Sequence, residues 1–167
     1  MSFAVDAFNP VAIFKALNDY DVDYIVIGGI AATIHGSDAI TGDLDICYQR
    51  TKANVQRLAS SLNVVHAKLT NFPEDLPFEL DEQSISNGDT FTFDTDYGRF
   101  DCLADPSGTT GFDDLRAAAT SEDIGDGKTA LVCSLNDLIR MKEAAGRIKD
   151  RLALEQLYSL KRLLEES

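Results

Sequence analysis

Basic residues are scarce in this chain. Its 167 residues include 15 Lys and Arg against 28 Asp and Glu, a net charge of −13. A protein that grips DNA or RNA without regard to sequence needs a basic footprint, so bulk nucleic-acid binding is excluded. Long apolar runs are missing as well. None approaches the roughly 20 residues that cross a bilayer, and the opening MSFAVDAFNP has no basic-then-apolar signal pattern. Cysteine is sparse: Cys47, Cys102 and Cys133 are odd in number, far apart and set in apolar runs. Disulfide frameworks and zinc fingers need other spacings, so these three read as reduced structural thiols in a cytoplasm. No internal repeat or low-complexity tract stands out. What remains is an ordinary globular composition, 44% hydrophobic and 26% charged, at a length that suits one domain, residues 1–167.

The acidity is concentrated. Residues 1–70 carry seven acids and five bases, and residues 128–167 carry six acids and eight bases. Residues 71–127 carry fifteen acids and only Arg99 and Arg116. The middle reads as a solvated acidic surface, part of which also suits concentrating divalent cations, while the C-terminal segment suits an anion. Pro73 and Pro77 in NFPEDLPFELDEQSISNGD mark a long connection, expected to be the most flexible stretch.

Periodicity orders the elements. Pro10 suits a helix start and apolar residues follow at helical spacing, which predicts a helix over 10–19. Tyr24–Ile27 reads as a short buried strand, Gly28-Gly29 opens a small-residue helix ending near Gly36, and Leu44–Tyr48 is a second strand. A second amphipathic helix covers 51–62. FTFDTDYGRFDCLA predicts two strands around a tight turn at Asp96–Gly98. FDDLRAAA predicts a short helix, and the run around Thr129–Val132 a further strand. Ser134 with Asp137 resembles a capping box that opens a helix through Ala145; Gly146 interrupts it, and 148–165 forms the last helix. The expected class is α/β or α+β: a small mixed sheet flanked by helices, with a core over about 20–132 and a C-terminal helical pair over about 134–167.

One stretch concentrates chemistry, YIVIGGIAATIHGSDAITGDLDICY. A buried strand runs into Gly28 and Gly29 and then a helix, an arrangement that lets backbone N–H groups approach a phosphate closely. In Asp43-Leu44-Asp45-Ile46 strand alternation puts both carboxylates on one face and both aliphatic chains in the core. Two such carboxylates bracket hard divalent cations, and magnesium takes further oxygens from substrate phosphates. Asp101 in GRFDCL, on a neighbouring strand, is the natural third acid.

These blocks, with CSLNDLIRMKEAAGRIKDRLALEQL, resemble the DNA polymerase β-like nucleotidyltransferase superfamily, nearest its minimal and AbiEii-type, toxin–antitoxin-associated branches. The resemblance covers about 24–48, 98–104 and 132–157. It implies a metal-dependent nucleotidyltransferase with two Mg2+ ions held by Asp43, Asp45 and Asp101. The nucleotide would contact Gly28, Gly29, Thr41, Lys149 and Asp150, and Lys142 would neutralise leaving-group charge. It further implies a nucleoside triphosphate donor, a tRNA end or a protein as acceptor, and a cognate toxin or antitoxin partner in a cytoplasmic setting. Two positions depart from the pattern. Gly28-Gly29 stands where the superfamily usually has Gly-Ser, whose hydroxyl contacts phosphate, and Ala39 and Ile40 stand where a basic residue is common. Both departures fit an alternative, a decayed nucleotidyltransferase fold that serves as a protein-interaction module.

The C-terminal helices have two readings from their residues alone. Leu135, Leu138, Ile139 and Lys142 share one helical stripe, and Asp150 shares a face with Ala153, Leu154 and Leu157. A charge on an apolar stripe must snorkel, pair or point into a site. Either Lys142 and Asp150 clasp the two helices together, or Lys142, helped by Lys149, reaches triphosphate oxygens with Asp150 orienting them. Other motifs carry less. Gly127-Lys128-Thr129 lacks the first glycine of a P-loop, and Gly28-Gly29 lacks the next glycine of a dinucleotide fingerprint. Asp94-Thr95-Asp96 reads as turn chemistry, His35 as a structural or capping histidine, His66 as surface or strand packing, and Phe91 with Phe93 as core.

Overall fold

The structure, a computed structural model, describes residues 8–70, 83, 85 and 90–166. The connection around Pro73 and Pro77 lies outside the described residues. Helix α1 (Pro10–Asp19) starts as its sequence dictates: the Asn9 side chain accepts the Ala12 N–H at 3.3 Å, and Ile13, Phe14, Ala16 and Leu17 are buried. There follow β1 (Tyr24–Ile27), α2 (Gly28–Ile34), β2 (Asp43–Tyr48), α3 (Lys52–Val64) and β3 (Lys68–Leu69). Next come β4 (Thr90–Thr95), β5 (Gly98–Leu103), α4 (Phe112–Arg116), β6 (Thr120–Gly125), β7 (Lys128–Val132), α5 (Leu135–Ala145) and α6 (Ile148–Glu165).

All seven strands join one mixed sheet in the order β3-β4-β5-β2-β1-β7-β6. The β2–β5 and β1–β7 pairs are parallel, and the remaining neighbours are antiparallel. With helices beside the sheet and a C-terminal helical pair, the architecture is the mixed α/β class that the element order predicts. Leu44, Ile46, Phe93 and Phe100 enter a core shared with Leu58 and Leu62 of α3, and α1 packs against α3. Asn54 is fully buried there, with every polar atom of its side chain used. Its oxygen accepts the Asp23 N–H at 2.6 Å, and its amide donates to the carbonyls of Asp23 (3.0 Å) and Gln49 (2.7 Å). One side chain thus ties α3 to the entrance of β1 and the exit of β2, the strands that carry the site.

Two strands were not expected from the sequence. Lys68–Leu69 is too short to show a period. Thr120–Gly125 (TSEDIG) is an edge strand that buries only Ile124, so alternation is nearly invisible in it. The usable signal was its turn: Asp126 and Gly127 have φ 54 and 72, the pattern that Asp-Gly adopts in a two-residue hairpin. Accordingly the helix begun at Phe112 stops at Arg116 instead of running through the alanines.

The last two helices form as predicted. The Ser134 hydroxyl accepts the Asp137 N–H at 3.0 Å, while the Asp137 carboxylate pairs with Arg140 at 3.1 Å. Gly146, at φ 64, ends α5 in the left-handed conformation that glycine accepts without strain. α5 packs on both α6 and α2. No helix among the described residues is long and apolar enough to cross a membrane.

Candidate active site

The bend after β1 is shaped by what presses on it. Gly28 has φ 68, and a Cβ there would stand 2.1 Å from Asp45 Oδ2. Only a residue without a side chain lets the backbone close onto that carboxylate. At Gly29 a Cβ would stand 2.8 Å from Thr41 Oγ1. Thr41 therefore fills the space a side chain at 29 would need, which accounts for the second glycine. The Thr41 hydroxyl also donates to the Asp43 carbonyl at 3.2 Å and accepts its N–H at 3.4 Å, pinning the start of β2.

On β2, Asp43 and Asp45 alternate with buried Leu44 and Ile46, as their spacing predicts. The parallel register sets Asp45 directly opposite Asp101, and Asp43 opposite Arg99. Burial first, then the Asp101 and Asp43 carboxylates, push the Asp45 carboxyl up to about 7, and Lys142 pulls in the other direction. Oδ1 of Asp45 and Oδ1 of Asp101 are buried with no hydrogen-bond partner among the described residues. Buried carboxylate oxygens left without donors suit a hard divalent cation. Asp43 adds its charge without closing a cage: among the described residues no three His, Cys, Asp or Glu side chains stand in metal-holding geometry. That pattern fits magnesium, which takes one or two carboxylates and completes its shell with waters and substrate phosphates.

A cleft of about 230 Å³ opens between this part of the sheet and the C-terminal helices. Gly28, Asp45, Asp101 and Thr92 line one wall, and Met141, Lys142 and Arg147 the other. Lys142 Nζ lies 3.2 Å from Asp150 Oδ1, and Arg147 Nε lies 2.7 Å from Asp150 Oδ2. Asp150 is fully buried, and the Arg147 guanidinium, with help from Lys142, holds its carboxyl down at about 2. The clasp between helices is thus present, and its lysine also faces the carboxylates. Asp43, Gly29 and Thr41 belong to the adjoining bend, and Asp150 anchors the cations. Lys149 is exposed and is not among the residues that line the cleft.

Arg147 went unnoticed in the sequence. Its signal was a basic residue at the helix N-cap, three positions before the buried acid; the Arg147 N–H donates to Asp150 Oδ2 at 3.2 Å. His35 behaves as a structural histidine: a carbonyl can only accept, so its Nε2–H donates to the Cys133 carbonyl at 2.7 Å. Asp94-Thr95-Asp96 shows turn chemistry, with the Thr95 hydroxyl accepting the Tyr97 N–H at 3.0 Å. His66, read from the sequence as surface or strand packing, lies at the surface and pairs with Asp96. A larger hollow of about 290 Å³, lined by Asp23, Tyr24 and Arg116 among others, has no paired carboxylates.

Among solved structures, the chain is similar to the lincosamide antibiotic adenylyltransferase LnuA in its lincomycin-bound form. The TM-score is 0.59 at 13% identity, covering 92% of this chain and 99% of that one. It is also similar to the antibiotic-resistance factor ANT(2'')-Ia, with a TM-score of 0.55 at 12% identity, covering 94% of this chain and 89% of that one. The likeness shows that the chain shares the fold of these two proteins. No family model matches the chain, and no curated protein matches it by sequence. Within this fold, the bend at Gly28 and the neighbouring strands β2 and β5 bring Asp45 and Asp101 together.

Proposed function

We propose that this protein transfers a nucleoside monophosphate from a nucleoside triphosphate to a hydroxyl acceptor, with Asp43, Asp45 and Asp101 as the ligands of two magnesium ions. One observation carries the reading. The Asp45–Asp101 pair holds unpartnered buried oxygens beside a glycine bend, across a cleft from two cations. Bound magnesium would lower the pKa of the acceptor hydroxyl and offset charge on the α-phosphate during in-line displacement of pyrophosphate. The chain's own residues do the rest. Gly28 lets the backbone close onto the Asp45 carboxylate, and Thr41 keeps the start of β2 in place. Asp45 and Asp101 would supply the carboxylate oxygens that hold the cations, and Lys142 neutralises the leaving group from the opposite wall.

The AbiEii-like motifs support a toxin–antitoxin setting with a tRNA end or a partner protein as acceptor, and the buried free thiols suit a cytoplasm. LnuA supports a third acceptor class, a small hydroxylated molecule. We treat the chain as one domain, because the last two helices complete the cleft that the sheet begins. A screen of the four radiolabelled triphosphates against total tRNA, the neighbouring gene product and lincomycin finds donor and acceptor. In that screen Asp43→Asn abolishes transfer and leaves the melting temperature unchanged; full transfer by the variant overturns the mechanism.

A second reading, the interaction module, draws on Gly29. With Thr41 pressed onto it, no side-chain hydroxyl is available at 29. Calorimetry separates the two: magnesium-dependent binding of a triphosphate supports the enzyme, and no binding at millimolar nucleotide favours the module.

A further inference from the structure

We propose that Arg147 and Lys142 form a clamp for the polyphosphate part of the nucleotide, with Asp150 as the positioning residue that aims both cations into the cleft. The proposal rests on the nucleotidyl-transfer reading and adds to it a residue and a division of labour. Asp150 is fully buried and accepts more than a clasp between helices requires. It takes hydrogen bonds from Lys142 Nζ (3.2 Å), Arg147 Nε (2.7 Å), Arg147 Nη2 (3.3 Å) and the Arg147 backbone N–H (3.2 Å). One buried negative charge is thus matched by two positive ones, and a surplus positive charge remains at the cleft wall.

Donor arithmetic points the same way. A guanidinium has five N–H donors, and Asp150 uses two of Arg147's; an ammonium has three, and Asp150 uses one of Lys142's. The remainder are not sealed off, because the two side chains stay 57% and 30% exposed where they line the cleft. The cleft therefore sets carboxylates on the sheet against cations on the helices, alongside apolar lining from Ile27, Leu103, Leu138 and Met141. A chain of phosphates fits that polarity, one end shared with cations held by the acids and the other end in a forked guanidinium. A planar fork fixed by one edge to a buried carboxylate offers its other edge in a set direction, which a free lysine such as Lys149 does not. A purely structural Arg147 would cap α6 and do nothing else.

The probe is inorganic tripolyphosphate with magnesium, titrated by calorimetry into the full chain. Arg147→Gln keeps a donor for Asp150 but removes the charge. We expect it to weaken tripolyphosphate binding about tenfold or more, the size of one or two lost charge-assisted hydrogen bonds. Its affinity for magnesium alone should not fall, because the lost charge is a cation facing the carboxylates. Arg147→Lys should recover part of the loss, and Asp150→Asn should weaken tripolyphosphate binding while both cations are still present. Parent-like tripolyphosphate affinity in Arg147→Gln overturns the clamp and leaves the nucleotidyl-transfer reading standing. Failure of the parent itself to bind either tripolyphosphate or any nucleoside triphosphate removes both.

Discussion

Asp45 lines one wall of the cleft and Asp150 is buried behind the cations of the other, each with carboxylate oxygen out of reach of water, and their protons behave in opposite ways. Asp45 faces another carboxylate and is pushed up to about 7, whereas Asp150 is gripped by Arg147 and Lys142 and held down at about 2. Burial alone therefore does not decide what a carboxyl does. Desolvation raises both; for Asp45 it is the largest influence and the neighbouring carboxylates add to it, whereas for Asp150 the Arg147 hydrogen bond outweighs it. The sheet wall is left in want of positive charge and the helix wall has positive charge to offer, which is what a metal-bound polyphosphate would use.

The sharpest way to break the comparison is to disturb the Asp45 side. Gly28→Ala forces a side chain onto a left-handed backbone and into Asp45 Oδ2. It should cost about 2–5 kcal/mol from strain and overpacking together, read as a loss of stability in urea, and should end magnesium-dependent nucleotide binding. Disturbing the other wall should cost less. Asp150→Ala leaves two cations that can still reach water, so the loss should be about 1–3 kcal/mol, accompanied by weaker triphosphate binding.

Acidity sharpens the contrast further. The folded-state value of Asp45, about 7, lies above the ordinary 3.8, so folding favours its protonated form. Its contribution to stability is complete below about pH 4 and is lost as pH rises through 7. Asp150, about 2 against 3.8, contributes fully above about pH 4 and loses that contribution as pH falls through 2. Melting curves of the metal-free protein should therefore lose their decline between about pH 4 and 7 in Asp45→Asn and keep it in Asp150→Asn. The smallest effect is expected where both partners are wet. Lys15 and Asp19 meet at 2.6 Å with side chains 61% and 49% exposed. Lys15→Ala should shift stability by only about 0.3–0.5 kcal/mol in urea.

The parts of the site legible in the sequence were those written in a local period. Asp43-Leu44-Asp45-Ile46 declares its two faces because a strand alternates with a period of two. Lys142 stood out because it interrupts an apolar helical stripe, and Ser134 because helix starts need an acceptor. Arg147 did not stand out, since it belongs to no stripe; its position depends on the turn at Gly146 that folds α6 back on α5. The glycine pair was visible, but not its cause, because Asp45 and Thr41 come from farther along the chain to press on it. The polar edge strand at 120–125 and the His66–Asp96 pair, 30 residues apart, escaped for the same reason.

Residue order by itself determined which side chains share a face, where most helices begin and end, and that an acidic middle precedes a basic C-terminal pair. Periodicity and capping are local, so neighbouring residues suffice to set them. Only the tertiary structure decided that β5 lies beside β2 with Asp101 level with Asp45, and that one buried aspartate meets a carboxylate while another meets two cations. Strand order and charge environment are set by partners distant in the chain, and an electrostatic field depends on distance in space and not on separation in sequence.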